Sequence, residues 1–316
     1  MFSGVAFWQS PVSTPSTIPG PGLFVSINEG GGNRYSSNGT TWTQSTTTGN
    51  AVGIAWAAYP MNKVIATTYT SRVKSSSNGI TWSAETVMPA SIQGPVYSPE
   101  LNIACAFSST TRSYYSTDAV NWTSIFGPAQ IAGALPSVWS KELAKFVIIA
   151  GTNVLHSSTG MSWSHVGTMP AGRWNNVIWI KEKSLFVAVA DISAGVNGVA
   201  TSANGITWTA RNAANADRWE DLAYSPSLDI IVASRYPGGS SVTASCIMSS
   251  TNSINWTMRT SPVPLILSGV DWSPKLGLFV ASPRTGGFFI SSSDGINWAT
   301  CSGNLGTLFN GIKWCE

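Results

Sequence analysis

Arg173-Trp174, Arg218-Trp219 and Arg235-Tyr236 each set a guanidinium beside an aromatic ring. Guanidinium forks bind carboxylates and phosphates through paired hydrogen bonds, and they stack on aromatic faces. Such pairs suit an acidic sugar or a protein partner. The other arginines, Arg34, Arg72, Arg112, Arg211, Arg259 and Arg284, enlarge the set. A competing reading applies to Trp174 and Trp219, which occupy equivalent positions of a repeat: they plug gaps in the fold while their arginines pair with Asp217, Glu220 or carbonyls. A hydrolytic site would draw on Glu29, Glu85 and Glu220 as carboxylates and on Tyr69 or Tyr236 as nucleophile, by residue type alone. His156 and His165 lack ligand spacing, and Cys105, Cys246, Cys301 and Cys315 form no CxxC pair. The triglycine at 30–32 has neither the lysine nor the strand-to-helix context of a phosphate loop. No metal and no cofactor are expected.

The elements that position these residues are written in a repeat. Boxes of the form Ser-x-Asn/Asp-Gly-x-x-Trp end at Trp42, Trp82, Trp122, Trp163, Trp208, Trp256 and Trp298, separated by 40, 40, 41, 45, 48 and 42 residues. A period of that size marks a repeat architecture. Asn or Asp folds its side chain onto backbone N–H groups two residues on, and glycine accepts positive φ, so each box reads as a tight turn. Upstream of the boxes run short strands ending in an aromatic, such as "GIAW", "NVIW" and "GVDW", followed by apolar runs such as "FVIIAG" and "LFVAVA". Four short antiparallel strands per repeat describe one propeller blade, and seven repeats close a ring. The expected fold is an all-β, seven-bladed β-propeller.

An eighth first strand stands at the C-terminus, "FNGIKWCE", besides the one at the start, "SGVAFW". Fourteen residues rich in Pro and Gly separate Trp8 from Leu23, against a much shorter turn in the other repeats. The C-terminal strand 311–314 is therefore expected to complete the first blade, giving a propeller over 23–316 and a separate segment 1–22 whose residues 1–20 are displaced as an anchor. The alternative keeps residues 4–8 in the first blade. In a closed ring Cys301 and Cys315 end strands at opposite faces, which disfavours a disulfide between them.

The boxes resemble the Asp-box, or bacterial neuraminidase repeat, family of propellers, with the turn one residue shorter and a carboxylate only at Asp118 and Asp294. The wording is also similar to tandem repeats of phage tail and virion proteins. The resemblance implies that second-to-third loops and fourth-to-first loops share one face. Sorted by that rule, all nine arginines fall on this face, whereas Lys63, Lys141, Lys145, Lys181, Lys183 and Lys275 fall on the other. A sialidase would also need three clamping arginines and an Arg-Ile-Pro first strand, and "GVAFW" and "GIAW" stand where that motif belongs.

Charged residues are 10% of the chain, well below the usual quarter, and the formal net charge is +3, too small to imply nucleic acid. Neither a signal peptide nor a run long enough to span a membrane is apparent, so no membrane insertion is expected. The sequons at Asn38, Asn121 and Asn255 arise because the box spells Asn-x-Thr. The reading that joins these observations is a non-enzymatic binding or structural propeller on a bacteriophage particle, facing outward, where it recognises a host-surface glycan or docks a neighbouring virion protein. Its binding residues would be Arg34, Arg72, Arg112, Arg173, Trp174, Arg218, Trp219, Arg235, Tyr236 and Arg284. Glycoside hydrolysis and an arginine-patch assembly factor for a membrane complex are the alternatives, and homo-oligomerisation stays open.

Overall fold

The computed structural model describes residues 20–316 apart from 31, 46–49, 69, 109, 128–135, 192–196, 237–244 and 303–307. The expectations for residues 1–19 and for Tyr69 lie outside the described residues, whereas every charged side chain lies within them.

Seven four-stranded antiparallel sheets form a seven-bladed β-propeller. The innermost strands of blades 1 to 7 are Phe309–Cys315, Gly53–Ala57, Ile92–Ser98, Ser137–Ser140, Arg173–Ile180, Trp219–Ser225 and Leu267–Ser273. Blade 1 is closed by the C-terminus. Phe309–Cys315 pairs with Leu23–Asn28, setting Phe24 opposite Trp314, so the closing strand runs three residues beyond the expected 311–314.

Second strands are buried along nearly their whole length, as in Leu23–Asn28, Ile103–Ser108 and Ile230–Arg235, because each blade is packed on both sides by its neighbours. That is why they read as continuous apolar runs. Outer strands are short and exposed, and each box tryptophan except Trp82 stands one residue before its outer strand, as Trp298 does before Ala299–Thr300.

The box turns explain the repeat residue by residue. Ser292 Oγ accepts the Gly295 N–H at 2.9 Å, and Asp294 Oδ1 accepts the N–H groups of Ile296 and Asn297, each at 2.8 Å. One side-chain oxygen suffices for the turn, so Asn38, Asn78, Asn204 and Asn252 make the same pair of bonds. The second carboxylate oxygen of Asp118 and Asp294 takes the amide of Asn121 or Asn297, at 2.8 Å in each case. Burial opposes ionisation of these two aspartates, but the bonds they accept outweigh it and pull both down to about 2. Gly205 follows at φ +71°, and a Cβ there would also stand 3.1 Å from Phe186.

Three residues before the inner-strand aromatic stand Gly53, Gly94, Pro136, Asn176, Asp221, Gly269 and Gly311. At this position adjacent inner strands come close: a Cβ on Gly53 would meet Pro95 Cδ at 2.8 Å, and one on Gly269 would meet Gly311 Cα at 3.0 Å. The four cysteines are free and buried.

Candidate functional site

Inner strands begin, second strands end, third strands begin and outer strands end on one side of the ring, and all nine arginines occupy those ends. Six carboxylates join them there, Glu29, Glu85, Asp191, Asp217, Glu220 and Asp221, which leaves this side at a net +3. The segregation expected from the sequence therefore exists in the folded chain. A single arginine site does not, because the arginines divide into a central and a peripheral set.

The central set lies on blades 5 to 7. Arg218 Nε is 2.5 Å from Glu220 Oε1, and its guanidinium lies 4.6 Å from the centre of the Tyr236 ring. Arg235 Nε is 2.6 Å from Asp217 Oδ2, and its Nη1 donates to the Ser245 carbonyl at 2.6 Å. Arg284 donates to Asn310 Oδ1 and lies 3.7 Å from Glu29. Arg173, the first residue of its strand, is exposed and has no ion pair among the described residues. Burial pushes the Glu220 carboxyl up, with Arg218 and Arg284 opposing it. These arginines are largely neutralised by carboxylates beside them.

The peripheral set lies on third and outer strands. Arg72 pairs with Glu85 at 3.1 Å. The other four have neutral partners: Arg34 with Gln44, Arg112 with the Phe126 ring at 4.3 Å, Arg211 with Thr201 and Arg259 with Ser249. Apart from Arg173, the positive charge without a carboxylate partner is thus at the rim.

Trp174 and Trp219 form no platform for a ligand. Trp219 is fully buried and Trp174 nearly so, each packed in the apolar core between blades. Their indole N–H groups donate to carbonyls four residues back, Pro170 and Asn215. The ring of Tyr236, beside Arg235, stays partly exposed, and Arg218 stacks on it.

The adjacent carboxylates Glu220, half-buried, and Asp221, buried, would suit hydrolysis by type. Asp221 is spent on structure: it accepts from Asn176 Nδ2, from Leu222 N at 2.9 Å and from Val270 N at 3.0 Å, joining three blades. His156 Nε2 contacts the Gly205 carbonyl at 2.9 Å, a bond between blades 4 and 5.

Sequence reasoning missed a groove of about 420 Å³ at the seam of blades 5 and 6, lined by Asn197, Arg211, Asn212, Ile254, Asn255 and Trp256 among others. At two other seams a blade's outer end is bonded to the next box turn: Ser302 N donates to the Thr40 carbonyl at 2.9 Å, and Thr86 Oγ1 to that of Val120 at 3.2 Å. No such bond joins Thr209–Asn212 to residues 253–256 among the described residues, and the seam stands open. The sequence signal was an asparagine pair, Asn252 and Asn255, where blades 3 and 7 pair Asp with Asn.

No family model and no curated protein matches the chain. Solved structures resemble it in fold. YCF48 from Cyanidioschyzon merolae aligns with a TM-score of 0.58 at 13% identity, over 88% of each chain. YCF48 bound to D1 peptide aligns at 0.59 and 13% identity, over 79% of this chain and 81% of that one. The GH74 xyloglucanase from Xanthomonas campestris aligns at 0.64 and 13% identity, over 88% of this chain but only 46% of its own length. The class defined is the seven-bladed β-propeller. At such identities the likeness is one of fold alone.

Proposed function

We propose that the protein is a non-enzymatic binding propeller that docks a partner protein on its arginine-bearing face. The observation that carries this reading is the collection of every arginine on that face, with Arg34, Arg112, Arg211 and Arg259 facing no carboxylate. Arginine and tyrosine are enriched where protein interfaces gain most of their energy, and the Arg218–Tyr236 stack belongs to that chemistry. A fold neighbour, YCF48, carries a bound peptide of another protein, so a propeller of this outline accommodates one. The engagement of Asp221 by three hydrogen bonds supports a role without hydrolysis. The likeness of the boxes to those of virion repeat proteins supports a bacteriophage particle as the setting and a neighbouring virion protein as the partner.

A labelled deca-glutamate peptide, titrated at low and high salt, tests the reading. Binding should weaken with salt and fall about tenfold in a variant carrying R112A, R173A and R259A. Equal binding by the variant, or none by the parent protein, refutes it. Recognition of a host-surface glycan is a second reading, favoured by the open groove between blades 5 and 6.

A further inference from the structure

We infer that the groove between blades 5 and 6 is a binding site for an acidic saccharide unit, an inference that rests on the glycan reading. Its volume of about 420 Å³ falls in the range of small-ligand sites, roughly 300–1,000 Å³. The lining contains a guanidinium, three carboxamides and an indole, and no carboxylate. Arg211 is held by its Nε, which donates to Thr201 Oγ1 at 3.3 Å, leaving both terminal nitrogens without a protein partner among the described residues. Such a fork takes a carboxylate in bidentate fashion. The side-chain amides of Asn197, Asn212 and Asn255 likewise have no partner among the described residues, and each can donate to one hydroxyl while accepting from another. Trp256 supplies an apolar ring beside them, partly exposed like Arg211.

The protein holds its own control at the next seam. Arg259 occupies in blade 6 the position that Arg211 occupies in blade 5, three residues after the box tryptophan, and Asn297 of blade 7 corresponds to Asn255. Asn297, however, donates its amide to Asp294 Oδ2 at 2.8 Å, and Asn121 does the same to Asp118. Blade 6 has Asn252 in place of that aspartate. Its single carbonyl oxygen is occupied by the N–H groups of Ile254 and Asn255 at 3.0 and 2.8 Å, so the Asn255 amide is left for another molecule. The substitution of amide for carboxylate in one box frees a ligand-binding group in the groove.

Calorimetric titration of the whole protein with sialyllactose and trigalacturonate as acidic probes, and maltotriose as a neutral one, tests the site. An acidic probe should bind, with affinity reduced about tenfold by R211A and severalfold by N252D, which recaptures the Asn255 amide without altering the groove wall. The variant K63A, on the opposite face, should bind like the parent protein. Unchanged melting of each variant excludes unfolding as the cause. Binding that survives R211A and N252D overturns the groove while leaving the glycan reading in place. Failure of both acidic probes overturns the two together, and equal binding of maltotriose overturns the assignment to acidic sugars.

Discussion

The two sides of the ring meet at its centre in different ways. From blade 5 round to blade 1, side chains staple the inner strands: Asn175 Nδ2 donates to the Trp219 carbonyl, Asp221 accepts from Val270 N, Asp271 accepts from Trp314 N, and Asn310 Nδ2 donates to the Ala51 carbonyl. Between the inner strands of blades 2, 3 and 4 one side-chain bond is made among the described residues, from Ser137 Oγ to the Gly94 carbonyl, and Gly53 packs directly against Pro95, as Gly269 does against Gly311 on the stapled side. Two lysines carry this difference over to buried charge. Burial lowers the affinity of Lys313 for its proton, but Asp271 and Asp221 overcome it and raise the pKa. Lys74 in blade 2 is buried beside the Trp82 ring with no hydrogen-bond partner for its Nζ, and burial wins over distant Glu85, lowering the pKa. Lys313 is thus buried with its charge paired, and Lys74 with its charge unpaired.

The stapled half should be the more fragile under single substitutions. Asp221→Ala removes one acceptor from three donors on blades 5, 6 and 7, leaving the Leu222 and Val270 N–H groups buried without partners. A loss of about 3–5 kcal/mol is expected, read as a lower midpoint in urea unfolding. A loss below about 1 kcal/mol would erase the distinction between the halves.

In the close-packed half the sensitive residue is a glycine. Gly53→Ala places a methyl 2.6 Å from Thr67 Oγ1 and 2.8 Å from Pro95 Cδ, and the cost should be about 1–3 kcal/mol in the same unfolding measurement. An equal substitution at Gly277, with nothing within 4 Å but φ at +62°, separates crowding from backbone strain. If both variants lose the same stability, close approach of the strands is not what Gly53 provides.

Much of this scaffold was legible in the sequence, because a turn that needs Ser, then Asn or Asp, then Gly advertises itself each time it recurs. The closing strand was legible for a similar reason: "FNGIKW" repeats the aromatic of the other inner strands and the glycine of three of them. The Arg-Trp pairs read two ways in the sequence, as a ligand platform or as plugs, and the alternation of strand residues between opposite sides decides for plugs. Arg218 at the surface therefore implies that Trp219 is turned inward, and Trp174 beside Arg173 follows the same rule. The groove was illegible for another reason. Its walls come from blades more than 40 residues apart, and the freedom of Asn255 depends on whether residue 252 has one oxygen or two.

The smallest expected effect concerns Lys74, and its pH dependence is the sharper test. Lys74→Met exchanges a buried, unpartnered ammonium for an apolar side chain of similar length, so near neutral pH the variant should be more stable by about 1 kcal/mol. The folded-state pKa is lowered below the ordinary value of 10.5, which means that the unfolded chain binds the proton more tightly. The destabilisation by Lys74 is then fully present below the folded-state pKa and is relieved as pH rises from there toward 10.5. The stability difference between variant and parent should accordingly shrink as alkaline pH is approached, because both then carry an uncharged side chain in the core. A difference that stays constant over that interval would mean that Lys74 keeps its proton in the folded state, held by a partner such as Glu85, and the close-packed half would then satisfy its charges as the stapled half does.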